Sequence, residues 1–169
     1  LTAKPVLYVC NVDEAAAKTG NDYSARIERI AAEEGAEAMV IAAKTEEDIA
    51  SFESYDDKQM FLEELGLAES GVNRLIKKAY ALLNLETFFT TGADETRAWT
   101  YVRGMKAPQT AGIIHTDFER GFIRAEVIKY DDYVTLGSEK ACRDAGKIGI
   151  EGKDYVVQDG DIMHFLFNV

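Results

Sequence analysis

Lys4-Pro5-Val6-Leu7-Tyr8-Val9-Cys10-Asn11-Val12-Asp13-Glu14 opens the chain with a run of β-formers that halts at Asn11 and gives way to acidic side chains. This reads as a buried strand over residues 5–10 whose C-terminal end carries polar groups. In open α/β sheets, ligands bind beyond the carboxyl ends of strands. The strand begins only a few residues into the chain, so a sheet is expected to start halfway through and the chain to be the back part of a larger protein.

Outward from this strand, the first half alternates strand and helix. Asn21 and Asp22 can cap a helix that places Tyr23, Ile27, Ile30 and Ala31 on one face and ends at Gly35. Residues 38–42 form a second apolar run, and a β-α-β unit of this kind implies parallel strands with a right-handed crossover. Acid-rich helical segments follow. Residues 56–65 set Met60, Phe61 and Leu65 on one face, and Ser70 can cap a last helix with Val72, Leu75, Ile76, Ala79 and Leu83 inward.

The pattern changes near Asn84. Residues 85–91 and 98–102 are rich in Thr, Phe, Trp and Tyr, with Gly92 and Asp94 between them, and read as a β-hairpin. A helix is expected over 108–118, a strand over 123–128 and a short helix over 138–145. A second hairpin is expected from 155–157 and 162–167 around Gln158-Asp159-Gly160-Asp161. Two hairpins flanking a helix point to an α+β domain of the ubiquitin-like β-grasp kind. Trp99, Tyr101 and Phe165-Leu166-Phe167 read as half-buried strand positions rather than as a stacking platform for bases.

Composition narrows the functional classes. With 169 residues, 47% of them apolar, and a net charge of −11, the chain is disfavoured as a general binder of DNA or anionic membranes. Its apolar runs are too short to span a bilayer. Cys10 and Cys142 lie far apart without metal-site spacing and read as reduced thiols. The least acidic stretch, 106–129, carries Lys106, Arg120, Arg124 and Lys129 against Asp117, Glu119 and Glu126, which makes it the expected contact surface. His115 and Asp117 are too few to ligate zinc. They read as a capping loop or, with Arg120 and Arg124, as partner contacts.

Two long stretches then carry a family resemblance: Ala111-Gly112-Ile113-Ile114-His115-Thr116-Asp117-Phe118-Glu119-Arg120-Gly121-Phe122-Ile123-Arg124, and the ending from Glu151-Gly152-Lys153-Asp154-Tyr155 through Asp159-Gly160-Asp161 to Phe165-Leu166-Phe167-Asn168-Val169. With these, the whole chain resembles the C-terminal part of the YchF / Obg-like ATPases, members of the Obg branch of P-loop NTPases. The resemblance implies an α/β first part, residues 1–83, that is the C-terminal portion of an OBG-type nucleotide-binding domain. It implies a β-grasp TGS domain over residues 84–167.

It also implies site residues. The family reads its base just after the strand, where GTPases carry Asn-Lys-x-Asp. That Asp accepts two hydrogen bonds from the guanine edge. The matching residues here are Asn11-Val12-Asp13-Glu14, and the longer Glu14 carboxylate cannot occupy the same position. ATP is therefore implied over GTP, with the Asn11 amide, both donor and acceptor, facing the adenine edge and Val12 lining the base. Ile41-Ala42-Ala43 matches the last nucleotide loop, where the small Ala42 and Ala43 let backbone groups approach; Lys44 comes next. Read without the resemblance, Asn11 closes a strand or caps a turn.

No Gly-x-x-x-x-Gly-Lys-[Ser/Thr] occurs in the chain, so no catalytic residue is expected in it and alone it is expected to be inactive. ATP and Mg²⁺ are implied for the full-length protein, with the Mg²⁺ ligands outside this chain. The ribosome, as large subunit or 70S-type particle, is the implied partner, and the cytoplasm the implied location. The alternative is a non-catalytic TGS-based module contacting the ribosome or another RNA or protein partner.

Overall fold

The computed structural model describes residues 4–92 and 95–168, so Asp94 of the first hairpin loop and Val169 lie outside the described residues. The chain divides into two compact units, one ending at Leu83 and one starting at Asn84.

In the first unit, β1 (Leu7–Asn11) and β2 (Glu37–Ile41) are parallel, with Asn11 opposite Ile41 at the carboxyl ends of both strands. The helix between them, α1 (Asp22–Glu34), starts on a reciprocal cap. Asn21 Oδ1 accepts from the Tyr23 and Ser24 amides, and Ser24 Oγ accepts from the Asn21 amide. Gly35, at φ +69°, ends it in the left-handed region. Ser24 and Ala31 are buried on its inner side, whereas Tyr23 and Ile30, expected inside, are exposed.

Three helices follow: α2 (Ala43–Ser51), α3 (Tyr55–Glu64) and α4 (Gly71–Leu82). In α3 the expected face is rotated: Leu62 is buried and Met60 points out, while Phe61 packs on Phe52 with ring centroids 5.3 Å apart. In α4, Val72, Ile76 and Leu83 are exposed, not inward, and Leu75 and Ala79 are half-buried. Polar tethers set this rotation. Arg74 Nη2 donates to the Val40 carbonyl at 3.2 Å and Lys78 pairs with Glu37, so the side of α4 turned to β2 is partly charged. Hydrophobic spacing alone does not register such ties.

The second unit is a five-stranded mixed sheet. Its strands are β3 (Leu85–Thr91), β4 (Thr96–Val102), β5 (Phe122–Ile128), β6 (Ile148–Glu151) and β7 (Ile162–Phe167), in the order β4-β3-β7-β5-β6. β3 and β7 are parallel and every other neighbouring pair is antiparallel. Alternation along the strands sends Phe88, Tyr101, Ala125, Val127, Met163 and Phe165 to one face, where Ala107 and Ala111 complete the main core. Ile128 and Ile162 point to the other face, against Cys142 and Tyr133. Tyr101 and Phe165 are thus core residues, and Trp99 is half-buried, its indole N–H donating to Thr90 Oγ1 at 2.9 Å.

Three expectations for this unit are corrected. The helix over 108–118 is two helices, α5 (Ala107–Ile114) and α6 (Thr116–Arg120), broken where His115 takes extended dihedrals. The second hairpin does not form: β7 pairs with β5 and β3, and Val156 makes a lone bridge to Lys106. The fully buried Asp161 carboxylate organises this region by accepting from the Gln158 amide at 3.0 Å, Tyr155 OH at 2.6 Å and Lys129 Nζ at 2.6 Å, which holds 155–161 as a turn. Before α8 (Glu139–Asp144) stands an unexpected helix, α7 (Tyr130–Leu136), closed by Gly137 at φ +79°.

Candidate functional site

At the carboxyl ends of β1 and β2, Asn11 Oδ1 accepts the Ala43 amide at 3.0 Å. Ala43 opens α2, and its N–H is one of the four donors that a helix start leaves without an intrahelical partner. The N-cap residue, Ala42, has no side chain that could take such a donor. Asn11 does so from 32 residues upstream. Because an N–H faces the amide, the facing atom is oxygen. That leaves Nδ2 as a donor, without a protein partner among the described residues. Both Asn11 and Ala43 are exposed.

The neighbouring residues extend this edge. The Val12 amide donates to the Ile41 carbonyl at 2.9 Å, carrying the parallel ladder one step past β1. Ala42 is buried, and its carbonyl accepts the Glu46 amide at 3.0 Å. Asp13 turns back to cap the short 3-10 turn Glu14–Ala16, accepting from the Ala16 amide at 3.1 Å. Glu14 is exposed at the start of that turn. Asn11, Val12, Ala42 and Ala43 are therefore brought together, while Glu14 makes no hydrogen bond or ion pair to them. Lys44 is held along α2 by Glu47 at 3.0 Å and Asp48 at 3.4 Å, with the Glu47 hydrogen bond foremost in raising its pKa. An open groove of about 430 Å³ runs beside β1 and α1 and reaches Asn11 and Val12 but not Ala42 or Ala43.

Two residues missed by sequence reasoning brace this edge. The Glu46 carboxylate accepts the Gly71 amide at 2.6 Å and the Val72 amide at 3.1 Å, tying the first turn of α2 to that of α4. Their separation of 25 residues leaves no local signal. Near them, Thr45 is buried and its hydroxyl oxygen has no hydrogen-bond partner.

In the second unit, His115 is a capping residue: its Nδ1 accepts the Asp117 amide at 3.2 Å at the start of α6. Asp117 in turn lies 3.8 Å from Arg120 Nη1. His115, Asp117 and Arg120 thus cluster, whereas Arg124 is exposed on β5 and makes no ion pair or hydrogen bond with them. Among the described residues no group of three His, Cys, Asp or Glu could hold a metal ion, and no helix is long and apolar enough to cross a membrane.

Comparison with known proteins bears on both units. The family model YchF-GTPase_C, described as a protein of unknown function (DUF933), matches residues 85–168. The chain is 57% identical to "Ribosome-binding ATPase YchF" of Bacillus subtilis strain 168 over 171 aligned residues, and 49% identical to the protein of the same name from Escherichia coli O157:H7 over 169. All of the chain is covered in both alignments, which take in 46% of each relative, so the chain spans about half the length of these proteins. The solved structure described as the Schizosaccharomyces pombe YchF GTPase superposes with a TM-score of 0.83 at 38% identity, covering 98% of this chain and 44% of that one. Over both units, the chain belongs to the YchF family.

Proposed function

We propose that this chain supplies the purine side of an ATP site and a ribosome-contacting module to a longer P-loop ATPase. The observation that carries the first part is the Asn11–Ala43 hydrogen bond, which joins the two segments expected to flank the base at one sheet edge. With Oδ1 engaged, Asn11 meets the base through Nδ2, a donor suited to an acceptor nitrogen of the purine. This narrows the expectation that both ends of the amide face adenine. Glu14, placed where an Asp would accept the guanine N1–H and N2 amine, favours ATP over GTP.

The phosphates and Mg²⁺ would be held by a P-loop outside this sequence. The given sequence contains no Gly-x-x-x-x-Gly-Lys-[Ser/Thr] motif, and on this reading the chain by itself is inactive in hydrolysis. The strand order with its parallel β3–β7 centre supports assignment of the second unit as a β-grasp TGS domain, and the parallel β1–β2 pair joined through α1 supports assignment of the first as the end of an OBG-type nucleotide-binding domain. The name "Ribosome-binding ATPase" on the relatives supports a ribosomal partner, as large subunit or 70S-type particle, and a cytoplasmic location. His115, Asp117, Arg120 and Arg124 are the proposed contacts.

Calorimetric titration of the full-length protein with ATP and GTP tests the first part: tighter ATP binding that weakens in Asn11→Ala supports it, and equal binding of both nucleotides contradicts it. Co-sedimentation with ribosomes, with and without the residues from Asn84 onward, tests the second. Retention of ribosome binding after that deletion contradicts it.

A further inference from the structure

The Asn11–Ala43 bond is only as well placed as the first turn of α2, and that turn is anchored from outside. A helix of ordinary design caps itself with the residue before it and an acid three places on. In α4 the cap Ser70 takes the Asn73 amide at 3.1 Å, but the third helical position is Asn73, not an acid. An acid from α2 serves the two amides that follow Ser70. Both Glu46 oxygens are spent on the Gly71 and Val72 amides, charge-assisted bonds at a helix start where the backbone dipoles favour a carboxylate.

Position 71 must be bare for this to happen. A Cβ there would lie 2.8 Å from Glu46 Oε1 and 2.8 Å from Ile41 Cγ1, the residue paired with Asn11. Arg74, one turn on, donates to the carbonyl of Val40, the residue before Ile41. The end of β2 and the start of α2 are thus gripped together by one turn of α4.

We infer that Glu46, with Gly71 as the residue that lets it approach, is a positioning residue for the Ala42–Ala43 loop and through it for the nucleotide base. This rests on the reading of Asn11 and Ala43 as base-side groups. Glu46 does not touch the base. Its removal frees the first turn of α2 to shift, and small misplacements of a positioning group are amplified in binding.

The test uses the full-length protein and ATP. Glu46→Ala and Gly71→Ala are each expected to raise the Kd for ATP about tenfold. Glu46→Gln keeps the side-chain shape and one acceptor oxygen, so it guards against loss of the fold and is expected to raise Kd by about threefold. Amide exchange at Ala43 is expected to quicken in all three. The Asn11→Ala, Glu46→Ala double variant is expected to bind no more than about twofold more weakly than Asn11→Ala, because both act through one loop. A purely structural role would lower the melting temperature and leave ATP affinity of the folded variant unchanged. Kd values within twofold of the parent in Glu46→Ala and Glu46→Gln, with Asn11→Ala clearly weakened, overturn this inference alone. An unchanged Kd in Asn11→Ala overturns the base-side reading and the inference with it.

Discussion

Asn11 Oδ1 lies 3.0 Å from the amide nitrogen of Ala43, so the last residue of β1 caps the helix that follows β2. The two readings of Asn11, as a cap and as a base contact, are therefore compatible. One end of the amide does structural work, and the other end is left to donate.

Removing the amide should show the structural half. Asn11→Ala is expected to lower unfolding stability by about 1 kcal/mol, the usual loss when a capping side chain is truncated to Ala. Urea unfolding followed by circular dichroism measures this. A change below about 0.3 kcal/mol would mean that water replaces the cap without loss.

Shortening the acid at position 14 should change the choice of base. In the full-length protein, Glu14→Asp is expected to raise GTP affinity relative to ATP by about tenfold or more, since each charge-assisted hydrogen bond regained contributes about 1.5–3 kcal/mol. Competition binding with the two nucleotides reads the ratio. An unchanged ratio removes Glu14 from base selection.

Thr45 presents the opposite case, a polar atom whose removal should help. Its hydroxyl oxygen is buried without a partner. Thr45→Val is expected to raise stability by about 1 kcal/mol, because an unsatisfied buried polar group carries a desolvation penalty of about 1–3 kcal/mol. A higher urea midpoint at unchanged m-value is the expected outcome. Destabilisation would show that the hydroxyl has a role that the fold's own hydrogen bonds do not reveal.

The second unit should lose stability in alkali. Burial raises the Tyr155 pKa, as does its hydrogen bond to Asp161, and burial likewise raises that of Tyr101, which donates to Glu86 at 2.7 Å. For Lys129, burial works against the charge, but hydrogen bonds to Asp161 and Tyr155 outweigh it and the pKa is raised. All three groups hold their protons more tightly in the folded state. Above about pH 10 the unfolded chain therefore binds fewer protons, and stability falls as pH rises through the elevated values. Below about pH 10 this contribution is fully present. Urea midpoints at pH 8, 10 and 11 should decline across the last interval, less steeply in Tyr155→Phe, which lacks one of the groups. Equal slopes in parent and variant would remove Tyr155 from the linkage.

What was legible in the sequence is what local chemistry dictates. Asn21 and Asp22 as candidate caps, and Gly35 at the other end, bounded α1, and the Thr- and aromatic-rich runs around Gly92 marked β3 and β4. The carboxyl-edge location of Asn11 followed from the opening strand, whereas Ala43 entered through the family resemblance. What stayed hidden depends on partners distant in sequence. The rotation of α4 is set by Arg74 and Lys78 reaching β2, and its first turn is capped by Glu46. The expected second hairpin failed because a single buried carboxylate, Asp161, draws 155–158 into a turn. His115 broke the expected long helix by serving as a cap itself.

On the proposed reading, Asn11 holds the loop with its oxygen and the base with its nitrogen. Asn11→Asp separates the two, since a carboxylate still accepts from Ala43 but can no longer donate. Titration of the full-length Asn11→Asp variant with ATP is the direct measurement. The expected result is a Kd raised about tenfold or more, as for loss of one hydrogen bond to a buried acceptor, with a melting temperature equal to that of the parent. ATP binding unchanged in a variant that folds as stably as the parent would mean that the Asn11 nitrogen does not meet the base.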